Sequence, residues 1–215
     1  MLKPEVIGGA RSTYTRVVRM VCEEKGIDYV LTEVLLGGPE VFAIHPFGKM
    51  PVLRHGDAEL FESKAIATYL DRRFAGPSLF PSEPLPAALV EQWVSLVNTL
   101  VDRTLIRTYL LAYAAPKTAD GKPDRQAIEA VIPALHDQIA VLDRAVARTG
   151  YLVDDQYTFA DINLMPILYY MRLVPEGAEA LGRATNLAAY YDRHAERPSF
   201  KSTIPPQGPP RRAAS

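Results

Sequence analysis

The chain has 215 residues, enough for one large domain or two small ones, and its 48% hydrophobic and 23% charged residues are the mix of an ordinary globular protein. A formal net charge of −1 provides no global field for nucleic acid or an anionic membrane, so neither is expected as a partner. No apolar run approaches the roughly 20 residues of a membrane helix, and the opening Met1–Gly9 lacks the apolar block of a signal peptide, so a soluble, cytoplasmic protein is expected.

Glu5-Val6-Ile7 is a short strand candidate that ends at Gly8-Gly9. A helix follows, with Val17, Val18, Val21 and Cys22 on one face and Gly26 as its stop. Tyr29 to Leu36 alternates as a strand does, until Gly37-Gly38-Pro39 breaks it. Met50–Arg54 and Ala58–Phe61 read as two strands around the turn His55-Gly56-Asp57. Ser63 opens a helix with Ile66, Tyr69, Leu70 and Phe74 on one face. Pro77, Pro81, Pro84 and Pro86 then mark a stretch without periodicity. Beyond it every pattern is helical: Leu89 to about Tyr113, Ile128 to Val146, the nearly all-apolar Thr158–Met171, and Leu187–Ala195. Residues 1–77 are therefore read as an α/β domain, 78–86 as a linker, 87–203 as an all-helical domain and 204–215 as a Pro-rich, poorly ordered tail.

One cysteine, Cys22, excludes an intrachain disulfide, and it lies on an apolar helix face as a core thiol would. His45, His55, His136 and His194 show no metal-ligand spacing, so no metal is expected, and CxxC and P-loop motifs are absent. Thr158-Phe159-Ala160-Asp161 has the form of a capping box, a folding signal rather than a chemical one.

Two stretches are more specific: Phe47-Gly48-Lys49-Met50-Pro51-Val52-Leu53 and Leu60-Phe61-Glu62-Ser63-Lys64-Ala65-Ile66. With the order of elements over the whole chain, they resemble the cytosolic glutathione transferase superfamily, in its serine-type, phi-like form. The resemblance implies a thioredoxin-like glutathione-binding domain followed by an all-helical bundle. It also implies a cis Met50–Pro51 bond, with the backbone of Met50 pairing with glutathione as an added strand would. Ser63 is expected at a helix N-cap. The N-terminus it caps would receive the γ-glutamyl carboxylate, and Glu62 would take the ammonium. Lys49 is either a point charge for the glycyl carboxylate or a solvated surface lysine. The superfamily often has Asn where this chain has His45 and Gln where it has Lys49.

Ser12 matches the serine that ionises the glutathione thiol in serine-type members, with Thr13 and Tyr14 as alternatives and a plain helix cap as the bland reading. Arg11 and Tyr14, and Arg107 and Tyr113 on the long helix, are candidates for the electrophile pocket; Arg103 and Arg107, four apart, could equally form a solvated or inter-subunit face. The implied activity is transfer of glutathione, a co-substrate, to an electrophilic small molecule in a detoxification role. A homodimer needing no other cofactor is implied as well. The alternatives are a non-catalytic glutathione-binding stress or interaction protein of the same fold, or a glutathione-dependent isomerase or peroxidase.

Overall fold

The computed structural model describes residues 2–115 and 118–206. They divide into two compact units, one running to Phe80 and resuming at Glu196, the other spanning Pro81–Ala195. Of the expected tail, residues 207–215 lie outside the described residues.

The first unit runs β1 (Glu5–Ile7), α1 (Thr13–Glu24), β2 (Val30–Thr32), α2 (Pro39–Phe42), β3 (Val52–His55), β4 (Ala58–Phe61) and α3 (Ser63–Arg73). Its sheet has the order β2-β1-β3-β4, with β1 parallel to β2 and antiparallel to β3, and β3–β4 a hairpin. This is the thioredoxin-like arrangement that the resemblance implies. Val6, Ile7, Val52 and Leu53 are buried in the sheet, and Val17, Val18, Val21 and Cys22 form the buried face of α1. Gly8 permits a close join between them: a Cβ there would lie 2.5 Å from Thr15 Oγ1.

At the far end of α1, Lys25 Nζ lies 3.0 Å from Asp71 Oδ1 on α3, and it also donates to the Pro77 carbonyl. Leu79 N–H donates to the same Asp71 oxygen. Gly76, at φ +113°, approaches Lys25 so closely that a Cβ would fall 2.9 Å from its carbonyl oxygen. One buried ion pair thus joins α1, α3 and the chain leaving them.

The first unit also holds a helix absent from the sequence reading, α10 (Pro198–Ser202). That reading carried the helical domain through residue 203. The physical reason for the difference is α1. Arg16, fully buried, donates to Thr203 Oγ1 at 3.3 Å and to the Phe200 carbonyl at 3.1 Å, with its guanidinium 4.1 Å from the Phe200 ring centroid. Arg197 donates twice to Glu24, at 2.7 and 2.6 Å.

The elements of the second unit among the described residues are all helices. The expected long helix is one continuous run made of α4 (Pro84–Leu96), a π-wound segment (Val97–Leu110) and α5 (Leu111–Ala114). It is followed by α6 (Arg125–Val146), α7 (Phe159–Met171), α8 (Pro175–Arg183) and α9 (Thr185–Ala195). α7 is the buried helix, and its capping box is formed. Thr158 N–H donates to Asp161 Oδ2 at 2.9 Å, and Ala160 N–H donates to Thr158 Oγ1 at 3.3 Å. No helix among the described residues is long and apolar enough to cross a membrane.

Candidate functional site

The candidates for binding glutathione fall on three segments of the first unit. The first is the β1–α1 loop. Ser12 occupies the N-cap of α1 in extended backbone conformation, and its Oγ accepts from Thr15 N–H at 3.3 Å. The loop before it is fixed at two further points. Gly9 N–H donates to Met50 Sδ at 3.0 Å, and Ala10 N–H lies 3.3 Å from Glu33 Oε1. Nothing in the local sequence of Glu33 ties it to residue 10.

The second segment is the turn into β3. The Met50–Pro51 bond is cis, as the resemblance implies. The Sδ contact to Gly9 sets Met50 directly against the loop that carries Ser12. Beneath lies a small core of Ile7, Val41 and Val52, with Val34 and Ile44 packed on it, which anchors α2 and its loop to the sheet. Lys49 is exposed.

The third segment is the β4–α3 junction, and here the structure corrects the sequence reading. Glu62, not Ser63, is the N-cap of α3, and it has φ 66° and ψ 115°. A side-chain cap requires its residue in extended conformation one position before the helix. Glu62 turns the chain through the left-handed region instead, so Ser63 enters as the first helical residue, buried. A non-glycine residue with that φ is uncommon and costs on the order of 1–3 kcal/mol, a strain that clusters at functional sites. The first-turn N–H groups of α3 and the exposed Glu62 carboxylate together offer partners for a carboxylate and an ammonium on one ligand.

Cys22 is fully buried, and desolvation, reinforced by Glu23, pushes its thiol up to about 12. It is a core thiol, inert as a nucleophile near neutral pH.

The four candidates for the electrophile pocket all have partners. Arg11 Nη2 donates to the Pro206 carbonyl at 2.9 Å, and Tyr14 is half-buried on the first turn of α1. Arg107 Nε donates to Asp102 at 2.9 Å, a five-residue spacing that the π winding allows. Tyr113 donates to Glu176 Oε2 at 2.6 Å, and Tyr109 donates to the same oxygen at 2.8 Å. Arg125 donates to both Glu176 and Tyr113, each at 2.9 Å. Burial, then the bond to Glu176, pushes the Tyr109 and Tyr113 hydroxyls up. Burial also acts to raise Glu176, but the donors converging on it outweigh that and hold its carboxyl at about 2. The cluster is a satisfied polar knot within the helical unit.

Residues 7–78 match the family model for the N-terminal domain of glutathione S-transferase, and residues 125–193 match that for its C-terminal domain. Glutathione S-transferase 3 of Zea mays is 32% identical over 204 residues, covering 87% of this chain and 86% of the relative. Glutathione transferase F7 from Populus trichocarpa superposes with a TM-score of 0.84 at 27% identity, over 93% of this chain and 97% of that one. A glutathione S-transferase from Methylobacillus flagellatus, solved with glutathione bound, superposes at 0.80 with 28% identity, over 94% and 100%.

Proposed function

The chain belongs to the glutathione S-transferase family and is a glutathione transferase, and from that premise we propose which residues grip glutathione and which one ionises it. The Met50 backbone pairs with the cysteinyl unit in strand fashion. The N-terminus of α3, opened by Ser63, holds the γ-glutamyl carboxylate, and Glu62 holds its ammonium. Lys49 takes the glycyl carboxylate as a point charge. The thiol proton leaves to solvent, Ser12 stabilises the resulting thiolate by an O–H···S hydrogen bond without giving up its proton, and the N-terminus of α1 adds its partial positive charge.

One observation carries the role of Ser12. Its oxygen accepts from Thr15 N–H at 3.3 Å. A hydroxyl has two lone pairs and one proton. The cap uses a lone pair and leaves the proton for an acceptor beyond the helix end, so capping and thiolate stabilisation act together. The ionised sulfur then attacks the electrophilic carbon. A C–S bond forms, and the electron pair leaves with the departing group or takes a proton from water. Glutathione is the co-substrate, and no metal or prosthetic group is needed in this chemistry.

The protein should be retained on immobilised glutathione and should conjugate glutathione to members of a panel of aryl halides, epoxides and enones. Retention without any conjugation would favour the non-catalytic binding protein instead. The physiological setting we propose is detoxification in the cytoplasm.

We also propose a homodimer. Phe47 is 76% exposed, and Leu100 and Leu111 on the long helix are 47% and 39% exposed. Large apolar side chains left in solvent at such levels suit a subunit contact. Sedimentation velocity at micromolar concentration should give a dimer, and a monomer would contradict the assignment.

A further inference from the structure

We propose that His45 is a positioning residue for glutathione binding, because its ring directs an N–H at the carboxylate of Glu62. The inference rests on the reading of Glu62 as the partner of the glutathione ammonium.

The tautomer follows from one hydrogen bond. Phe47 N–H donates to His45 Nδ1 at 3.0 Å. A neutral imidazole that accepts at Nδ1 carries its proton at Nε2. That nitrogen faces Glu62 Oε1 at 3.6 Å. The separation is longer than a formed hydrogen bond, so the contact is the attraction of a buried N–H dipole for an anion.

The ring cannot readily turn away. His45 is 3% exposed, and the Phe61 ring packs on it at 4.8 Å between centroids. Its backbone is held on both sides: His45 N–H donates to the Val41 carbonyl at 2.7 Å, and Gly48 N–H donates to the His45 carbonyl at 3.0 Å. Glu62, in contrast, has a side chain that is 69% exposed, on a backbone at φ 66°. An exposed glutamate loses considerable rotamer freedom when it engages a ligand. A fixed N–H beside one of its oxygens biases the rotamer beforehand and leaves the second oxygen for the ammonium, which is preorganisation of the binding group. Asparagine is shorter than an imidazole and would not carry a donor to the Nε2 position; glutamine would.

The test is a double-mutant cycle read in KM for glutathione, repeated with glutaryl-cysteinyl-glycine, which lacks the ammonium. His45→Phe keeps an aromatic ring against Phe61 and removes the Nε2 donor together with the Nδ1 acceptor of Phe47 N–H. It should raise KM for glutathione about three- to tenfold while kcat at saturating glutathione holds. His45→Gln should restore most of the loss. In a Glu62→Gln background, His45→Phe should add little, and with glutaryl-cysteinyl-glycine it should cost little. An equal KM penalty in both backgrounds, or with both thiols, would reduce His45 to a packing role and overturn the proposal. If Glu62→Gln itself leaves KM unchanged and the parent does not discriminate the two thiols, the reading of Glu62 fails, and the proposal falls with it. Should His45→Phe fail to fold, nitrogen-15 shifts of the imidazole in the parent protein decide: a proton on Nε2 whose shift moves on glutathione binding is expected, and a proton on Nδ1, or no response, contradicts the assignment.

Discussion

Ser12→Ala should bind glutathione almost as tightly as the parent protein and turn it over on the order of tenfold or more slowly near neutral pH. Binding survives because the proposed grip on the peptide comes from the Met50 backbone, Glu62 and the α3 N-terminus, none of which touches the sulfur. The rate falls because the thiolate loses its donor. A depression of about two pKa units corresponds to roughly 2.7 kcal/mol, within the reach of one charge-assisted hydrogen bond and a helix terminus. Without it the bound thiol is only a few per cent ionised near pH 7. The sign fixes the pH dependence: the variant should recover as pH rises toward the free thiol range, about 8.5 for a cysteine side chain. The N-cap is lost too, at about 1 kcal/mol of stability; a small fall in melting temperature is therefore expected and does not account for the rate. If Ser12→Ala retains the parent pH–rate profile while Thr13→Ala or Tyr14→Phe shifts it, Ser12 is a cap alone and its neighbour ionises the thiol.

The largest loss of stability is expected at Asp71. The Lys25 and Asp71 side chains are 1% and 8% exposed, and they meet at 3.0 Å. Asp71→Ala leaves a buried ammonium with the Pro77 carbonyl as its remaining partner among the described residues, and it also strips Leu79 N–H of its acceptor. Breaking a buried pair from one side costs about 3–5 kcal/mol, a large share of the 5–15 kcal/mol typical of a domain. The double replacement Lys25→Met with Asp71→Leu should recover much of that loss, since it leaves no unpaired buried charge. Urea midpoints for the single and double variants check this. An Asp71→Ala midpoint equal to the parent's would show that solvent reaches the pair and that it does not hold α1 to α3.

How much of this could be read from the residues depends on the distance over which each signal acts. The order β1-α1-β2-β3-β4-α3 is legible because Gly8, Gly26, Gly37-Gly38 and Gly56 punctuate it and apolar periodicity fills the intervals, whereas the four-residue α2 is too short to show a period. The capping box at Thr158 was legible because both partners lie within four residues. The cap of α3 was misread by one position because its determinant is the left-handed backbone of Glu62, and a glutamate gives no sign of that conformation. β2 is shorter than the alternating run Tyr29–Leu36 suggested. At 3.6 residues per turn a spacing of four puts Arg103 and Arg107 on one face, whereas the π winding pairs Arg107 with Asp102. α8 and α10 went unread. Both begin at a proline in a short segment with weak periodicity, and α10 owes its position to arginines more than 180 residues away in sequence. The contacts of His45 with Glu62 and of Glu33 with Ala10 cross between elements, where no local pattern announces them.

The central claim, that Ser12 keeps bound glutathione ionised, is tested most directly by the ultraviolet absorbance of the thiolate. Saturate the parent and Ser12→Ala with glutathione and titrate each with pH, following the thiolate band. The parent should show an absorbance midpoint about two units below that of free glutathione, and Ser12→Ala should titrate close to the free thiol. Coincident titrations for the two proteins would contradict the account.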